Sequence, residues 1–287
     1  MRIGTKEFDF QGKHVYMMGI LNVTPDSFSD GGRYQDTEQA LRHVEEMIEQ
    51  GADIIDIGGE STRPGYQKIS IQEEISRVTD VIRLVKERFD IPVSIDTYKA
   101  PVMDAALSAG ADLANDIWGL RYDQLFAAKG QASVWDCGTL AQIVVKHRKP
   151  ICIMHNRPQP EYHNLLEEME QDLRLSLEIA TEAGISRDQI ILDPGIGFGK
   201  SYENNLEVLA HLDRFKQFGL PLLLAASRKS VIGLTLDLPV DQREEGTMVT
   251  SVLASLYGWD MVRVHDVEKN VRAVQMMEKI KEFRDIR

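Results

Sequence analysis

Apolar residues along this chain follow two alternating periods. Short continuous runs such as Val15–Leu21, Ile54–Ile57, Ile151–Met154 and Met261–Val264 give way to longer stretches in which apolar positions return every third or fourth residue. Continuous runs fit strands buried on both faces, and the 3.6-residue period fits the helices that cover them. The joins between the two carry a repeated signal: Gly-Ala-Asp-Ile-Ile-Asp-Ile at Gly51–Ile57, Gly-Ala-Asp-Leu-Ala-Asn-Asp at Gly110–Asp116, and the looser Gly-Trp-Asp-Met-Val-Arg-Val-His-Asp at Gly258–Asp266. In each, glycine ends an amphipathic helix, an apolar strand follows, and a polar group sits where the strand runs out. That repeat predicts a β/α-barrel, with structure in the strands and chemistry at their carboxyl ends.

Eight strands follow from the pattern: Val15–Leu21, Ile54–Ile57, Pro92–Ile95, Leu113–Asn115, Ile151–Met154, Ile190–Leu192, Leu222–Ala225 and Met261–Val264. The first helix is framed by Thr37 as N-cap and Gly51 beyond its end, with Leu41, Val44, Met47 and Ile48 on one face. The second opens on Ser70 and Glu73 at capping-box spacing and buries Ile75, Val78, Ile82 and Val85. Pro101 suits the first turn of the third. Long amphipathic helices are predicted over Leu165–Ala183 and Val267–Phe283. Between Asp116 and Pro150 the segment Ala132–Gly138 interrupts the pattern, which reads as two short helices joined by a turn. Alternation within Met1–Gly12 predicts a β-hairpin over the amino-terminal mouth of the barrel. The expected fold is α/β: a single (β/α)8 TIM-barrel domain spanning 1–287, with the hairpin in 1–12 and the barrel in 13–287.

Composition narrows the function. At 287 residues and 43% hydrophobic, the chain suits one barrel with a large core and argues against disorder. No secretory or membrane-spanning segment is evident, and Cys137 and Cys152 fit neither a disulfide framework nor a zinc site, so a cytoplasmic setting is expected. A formal charge of −12 argues against a nucleic-acid partner. An anionic small molecule would need positive potential built locally from a few arginines and lysines.

Those few residues follow strands. The loop Asn22–Gly32 has the polar, Gly-rich character of a mobile active-site loop and equally that of an Asx-capped turn. Asn22 and Asp30 in it are oxygen donors suited to Mg²⁺. Thr62, Arg63 and Pro64 follow the second strand, where Arg63 is either a surface residue or an anion contact. Asp96, Asn115 and Asp193 terminate the third, fourth and sixth strands. Singly each could cap a strand end; together they form a poorly hydrated set that a ring with adjacent N–H and NH₂ groups would match. In Asp193–Lys200 the glycines make only a weak phosphate-loop signature, and they also fit a turn that lays Phe198 over a ligand. Ser227, Lys229 and Ser230 follow the seventh strand. Arg263 and His265, two apart in the eighth, face the same way. His14, His43, His147, His163 and His211 have no ligand spacing and are expected in solvent. Met17-Met18 and Met276-Met277 read as core packing.

Taken together and in order, Asn22–Gly32, Gly58–Gly65, Ser94–Thr97, Asn115–Ile117, Met154-His155, Asp193–Gly199, Ser227–Lys229 and Arg263–His265 resemble the dihydropteroate synthases over essentially the whole chain. The resemblance implies an enzyme joining 6-hydroxymethyl-7,8-dihydropterin diphosphate to p-aminobenzoate with release of pyrophosphate. It implies that Asp96, Asn115, Ile117, Met154, Asp193, Lys229 and Arg263 hold the pterin. Asn22, Arg63, Arg263 and His265 would hold the diphosphate, and Phe28, Thr62, Pro64, Phe198, Lys229 and Ser230 the aminobenzoate. Asp96, Asp193, Lys229 and Arg263 would carry the catalysis, with Asp96 and Asp193 held ionised at the pterin. Mg²⁺ on Asn22 and Asp30 and a homodimer through late helices, Met248–Tyr257 among them, are implied as well. Two rivals share parts of this pattern: the pterin domain of a methyltetrahydrofolate methyltransferase, which would not need Ser61–Gly65 or Ser227–Lys229, and a non-catalytic pterin-binding paralogue, which would lack the diphosphate contacts.

Overall fold

A computed structural model describes residues 1–23, 32–60, 68–127 and 137–285. The chain opens with a small antiparallel hairpin, β1 (Arg2–Ile3) against β2 (Lys6–Glu7). The barrel strands follow: β3 (Tyr16–Asn22), β4 (Ile54–Gly58), β5 (Val93–Asp96), β6 (Leu113–Asp116), β7 (Ile151–Met154), β8 (Ile190–Asp193), β9 (Leu223–Leu224) and β10 (Met261–Val264). They pair in parallel in the order β8-β7-β6-β5-β4-β3-β10-β9. A parallel bridge between Leu192 and Leu222, with the Leu192 N–H donating to the Pro221 carbonyl at 2.9 Å, joins β8 to the β9 side and closes the ring. The predicted strands are all present; β3, β4, β5, β6 and β8 reach one residue further at the carboxyl end, where the polar side chains begin, and β9 is shorter, Leu223–Leu224 in place of Leu222–Ala225.

Helices cover the outside: α1 (Gly32–Glu49), α2 (Ile71–Arg88), α3 (Ala100–Ser108), α4 (Tyr122–Ala127), α5 (Leu140–His147), α6 (Leu165–Ala183), α7 (Tyr202–Ala210), α8 (Ser230–Leu236), α9 (Glu244–Leu256) and α10 (Val267–Asp285). Helix α1 starts before Thr37, which therefore lies inside it; the polar stretch ahead of Thr37 hides the first turn from a hydrophobic period. Ser70 caps α2 by accepting from the Glu73 N–H at 3.2 Å, but the Glu73 carboxylate pairs with Arg77 instead of closing a capping box. Two short helices, α4 and α5, occupy the interrupted segment, and most of Ala132–Gly138 lies outside the described residues. Met17 and Met18 are core, whereas Met276 is 62% exposed on α10. His147 is not a solvated residue, because its ring pairs with Asp104 at 2.6 Å. No described helix is long and apolar enough to cross a membrane.

Alternation of side chains along each strand sorts the interior. One set, including Ile55, Ile57, Val93, Ile95, Ile153, Leu192 and Val262, packs outward against the helices. The other points inward and changes character along the barrel axis. Its lower members, Met18, Ile54, Leu113, Cys152, Ile191, Leu223 and Met261, form a buried apolar cluster with Ile3 and Phe8 of the hairpin region. Two residues further along the same strands stand Asp56, Asn115, Met154, Asp193, Ala225 and Arg263. The hairpin thus plugs the amino-terminal end, and the polar layer lies toward the carboxyl end.

Candidate active site

Register brings the polar layer together. Asp96 pairs across from Gly58 on one side and Asn115 on the other, and Met154 lies opposite Asp193. Arg263 bridges two carboxylates, donating from Nε to Asp56 Oδ2 at 2.6 Å and from an Nη to Asp96 Oδ2 at 2.8 Å. The Asn115 amide nitrogen lies 3.3 and 3.4 Å from the two Asp56 oxygens. Burial works against the Arg263 charge, but Asp56 and Asp96 outweigh it and hold the guanidinium protonated more firmly than usual. The other Asp96 oxygen, Oδ1, is buried with no hydrogen-bond partner among the described residues. A buried carboxylate oxygen in that state calls for a donor from a ligand. Burial pushes the Asp96 pKa up to about 7, with Arg263 opposing and the Asp56 charge adding to the rise. Asp193 rises to about 6 for the same leading reason, against the Gly195 N–H that reaches its Oδ1 at 2.7 Å. In the unliganded protein burial thus raises both carboxylates above the usual range, so their charge responds to the donors they are given.

An apolar wall faces this layer. Tyr98, Ile117 and Met154 form a buried cluster against which Trp118, Tyr122 and Phe198 pack. Phe198 sits on a turn in which its own N–H donates to the Gly195 carbonyl at 3.1 Å. Gly195 and Gly199 have φ of +70° and +53°, and a Cβ on either would collide with a backbone carbonyl, of His155 or Arg157. The turn therefore needs both the left-handed conformation and the missing side chain. Lys229 Nζ lies 4.0 Å above the centre of the Phe198 ring, a cation–π geometry. His265 Nδ1 is 2.9 Å from Ser227 Oγ, which ties β10 to the segment after β9. Ser230 opens α8 directly behind Lys229. Asn22 ends β3, half-buried; the Cβ position of Gly58 would be 3.8 Å from its Oδ1 and 3.7 Å from Asp96 Cβ, so the glycine leaves that space open to both.

Residues 18–265 match the family described as pterin-binding enzymes. The chain is 53% identical to the dihydropteroate synthase of Clostridium beijerinckii, covering 96% of this chain and 97% of that one. It is 50% identical to the Bacillus subtilis dihydropteroate synthase, covering 91% and 87%. The chain belongs to the dihydropteroate synthase family. Among solved structures of that family, the Clostridium difficile synthase determined in the presence of pteroic acid superimposes with a TM-score of 0.87 at 46% identity, covering 96% of this chain and 99% of that one. A Yersinia pestis dihydropteroate synthase in complex with a sulfonamide drug gives 0.87 at 38%, covering 98% and 99%.

Of the positions that the dihydropteroate synthase pattern singles out, Asp96, Asn115, Asp193 and Arg263 converge on one polar layer. Ile117, Met154 and Phe198 line the wall, Lys229 covers Phe198, and Asn22 and His265 stand at strand ends around the mouth. Phe28, Asp30, Thr62, Arg63 and Pro64 lie outside the described residues. Asp56 was not among the sequence candidates, although it is fully buried and holds both Arg263 and Asn115. Its signal was available: a carboxylate between Ile55 and Ile57, in a run otherwise apolar, must have a partner. A second missed group is the pair His155 and Lys200, joined at 3.0 Å beneath the Phe198 turn.

Proposed function

We propose that this chain is a dihydropteroate synthase: it condenses 6-hydroxymethyl-7,8-dihydropterin diphosphate with p-aminobenzoate and releases pyrophosphate. The observation that carries the reading is the partnerless Asp96 Oδ1 at the edge of a lattice formed by Arg263, Asp56 and Asn115. A buried carboxylate oxygen without a donor is the complement of a ring that offers N–H and NH₂ groups. Asp96, Asn115 and Asp193 bind that edge, Ile117 and Met154 pack on the ring, and Arg263 and Lys229 border it. Ring N–H donors favour the ionised form of both carboxylates, which then oppose the positive charge that develops as the pyrophosphate departs. The C–O bond to the diphosphate breaks, the cation on the methylene delocalises into the pterin, and the neutral aromatic amine attacks it, losing a proton to solvent. Arg63, Arg263, His265 and Asn22 hold the departing diphosphate. Phe28, Thr62, Pro64, Phe198, Lys229 and Ser230 hold the aminobenzoate.

No cluster of three or more His, Cys, Asp or Glu side chains among the described residues could hold a metal by itself. Mg²⁺ usually takes one or two protein oxygens and completes its shell with water and phosphate, and the Asn22 amide oxygen at the mouth fits that sparse role. We assign Asn22 and Asp30 as its protein ligands; the ion, when bound, would neutralise charge on the diphosphate. We further read hairpin and barrel as one pterin-binding domain of a cytoplasmic homodimer. Support for the dimer comes from α9 and α10, where Val249 is 67% and Phe283 65% exposed.

The test is direct. Purified protein should form dihydropteroate and pyrophosphate from the two substrates with Mg²⁺, lose most of that turnover with chelator, and be inhibited by sulfonamides in competition with aminobenzoate. Asp193→Ala should abolish pterin binding. Full turnover in that variant, or no product from the wild type, would overturn the assignment.

A further inference from the structure

Beneath the Phe198 turn lies a buried polar chain that the mechanism above does not use. Lys200 Nζ sits 2.9 Å from the Gly195 carbonyl oxygen, 3.0 Å from that of Phe198 and 3.0 Å from His155 Nδ1. His155 in turn sets its Nε2 3.0 Å from Asp172 Oδ2, and its backbone N–H donates to the Asp193 carbonyl at 2.8 Å. Asp172 is held well below the usual carboxylate range: burial opposes this, but His155, Arg157 and Arg121 outweigh it. An ionised carboxylate only accepts, so Nε2 of His155 carries the proton and Nδ1 is an acceptor. Burial and the nearby Lys200 charge pull the His155 pKa down to about 3, which keeps the ring neutral. Lys200 therefore faces three acceptors, and only an ammonium has three hydrogens to give them. Desolvation lowers its pKa to about 7, yet full satisfaction of the turn requires the charged form.

We propose that Lys200 is a positioning residue for the aminobenzoate half of the site: its ammonium ties both carbonyls of the Gly195–Phe198 turn to His155 at the end of β7 and so sets where Phe198 and Lys229 stand. The linkage to Lys229 is steric as well as electrostatic. A Cβ on Gly197 would come within 3.0 Å of Lys229 Cδ, so the turn and the lysine stem are in contact, and the Lys229 ammonium rests over the Phe198 ring. A shift of the turn moves both residues. Asp193 keeps its place through β8, although its Oδ1 also accepts from the Gly195 N–H of the turn, whereas Asp96 and Asn115 lie on β5 and β6 and are paired there with each other. Loss of Lys200 is thus expected to fall on one substrate more than the other. The inference rests on the synthase reading above.

Its test is the steady-state split between substrates for Lys200→Met, which keeps the stem and removes the donors, and Lys200→Arg, which restores charge and donors. Loss of charged hydrogen bonds should raise KM for p-aminobenzoate about tenfold or more in Lys200→Met. KM for the pterin diphosphate should stay within about threefold, and Lys200→Arg should recover most of the difference. A wild-type aminobenzoate KM in Lys200→Met overturns the inference while leaving the synthase reading intact. So does an equal rise in both KM values that arginine does not relieve, because that is the mark of general loosening. Where the methionine variant does not fold, Lys200→Gln, which keeps two N–H donors without charge, must show the same substrate-selective shift. If neither variant folds, Lys200 is a structural residue and the inference falls. A wild type that makes no dihydropteroate would overturn the synthase reading first and this one with it.

Discussion

The two ends of the barrel are built from the same strands and the same inward-facing positions, yet they obey opposite rules. At the amino end Ile54, Leu113, Ile191 and Met261 close around Ile3 and Phe8 as a dry apolar plug. Two residues later, on the same faces, stand Asp56, Asn115, Asp193 and Arg263. At about 3.3 Å per residue, one step along the pleat separates a layer that water never needs to reach from one that cannot be satisfied without a partner. The lower layer is apolar except at Ser94, opposite Leu113, whose buried Oγ has no hydrogen-bond partner among the described residues. In the upper layer Arg263 satisfies Asp56 and half of Asp96, and the Asp96 Oδ1 is left over. An end packed with apolar side chains supports stability; an end where a buried carboxylate oxygen awaits a donor supports binding.

The comparison breaks hardest at Arg263. Its side chain is 15% exposed and joins two carboxylates with 0% and 7% exposure, so Arg263→Met leaves buried charges uncompensated. Removing one partner of a buried pair costs about 3 kcal/mol or more, and removing a cation from a site where charge develops costs turnover of the order of a thousandfold. Both should be visible, in chemical denaturation and in kcat/KM for the pterin diphosphate. The resemblance gives Arg263 to both the pterin and the diphosphate, and its bonds to Asp56 and Asp96 are a route by which its loss would reach the pterin. A variant that binds a phosphate-free pterin as well as the wild type would show that the lattice does not organise the ring site.

A smaller effect sharpens the same contrast through pH. Asp193, at about 6, and Asp96, at about 7, lose their O–H and become pure acceptors as they ionise, so affinity for a phosphate-free pterin should rise roughly tenfold or more between about pH 5 and pH 8. Asp96→Asn should remove the upper part of that rise. The unliganded protein should move the other way. Both folded pKa values lie above 3.8, so the folded state binds more protons than the unfolded chain. Their contribution to stability is complete below about pH 4 and is lost as pH climbs through about 6 and 7. A pterin affinity independent of pH across this window, measured by calorimetry, would mean that other groups receive the ring.

Most of the architecture was legible because burial on both faces writes itself into continuous apolar runs, and a glycine just past α1, α3, α6 and α9 marks where the next strand begins. Asp96, Asn115 and Asp193 were legible for a related reason: each interrupts an apolar run at its end. Asp56 interrupts one in its middle and was passed over; a carboxylate there signals a buried partner, but only the three-dimensional pairing names Arg263 as that partner. Lys200 was hidden by its setting in a glycine-rich turn, where a lysine reads as a loop residue facing water or phosphate. Met276 misled in the other direction, because a methionine pair on an amphipathic helix looks like core whether or not another surface covers it. The α1 start was hidden by a polar first turn that leaves no periodic trace.

The smallest effect on binding is expected from the end that matters most for packing. Phe8 is 4% exposed, stacked on Phe10 at 5.7 Å between ring centres and edge-on to Tyr16 at 4.8 Å. Phe8→Ala should cost about 3 kcal/mol, since the cavity lies in a cluster walled by strand residues that cannot collapse inward. The KM values of the folded fraction should nonetheless match the wild type. Strand hydrogen bonding runs unbroken from Ile54 through Asp56 and from Met261 through Arg263, so a void beneath the apolar layer is taken up by side chains of that layer before it reaches the carboxylates. Denaturation by urea, set beside both KM values at a temperature where the variant is folded, checks this. A pterin KM that worsened in step with stability would mean that the plug and the polar layer are mechanically one, and that the division drawn between the two ends does not hold.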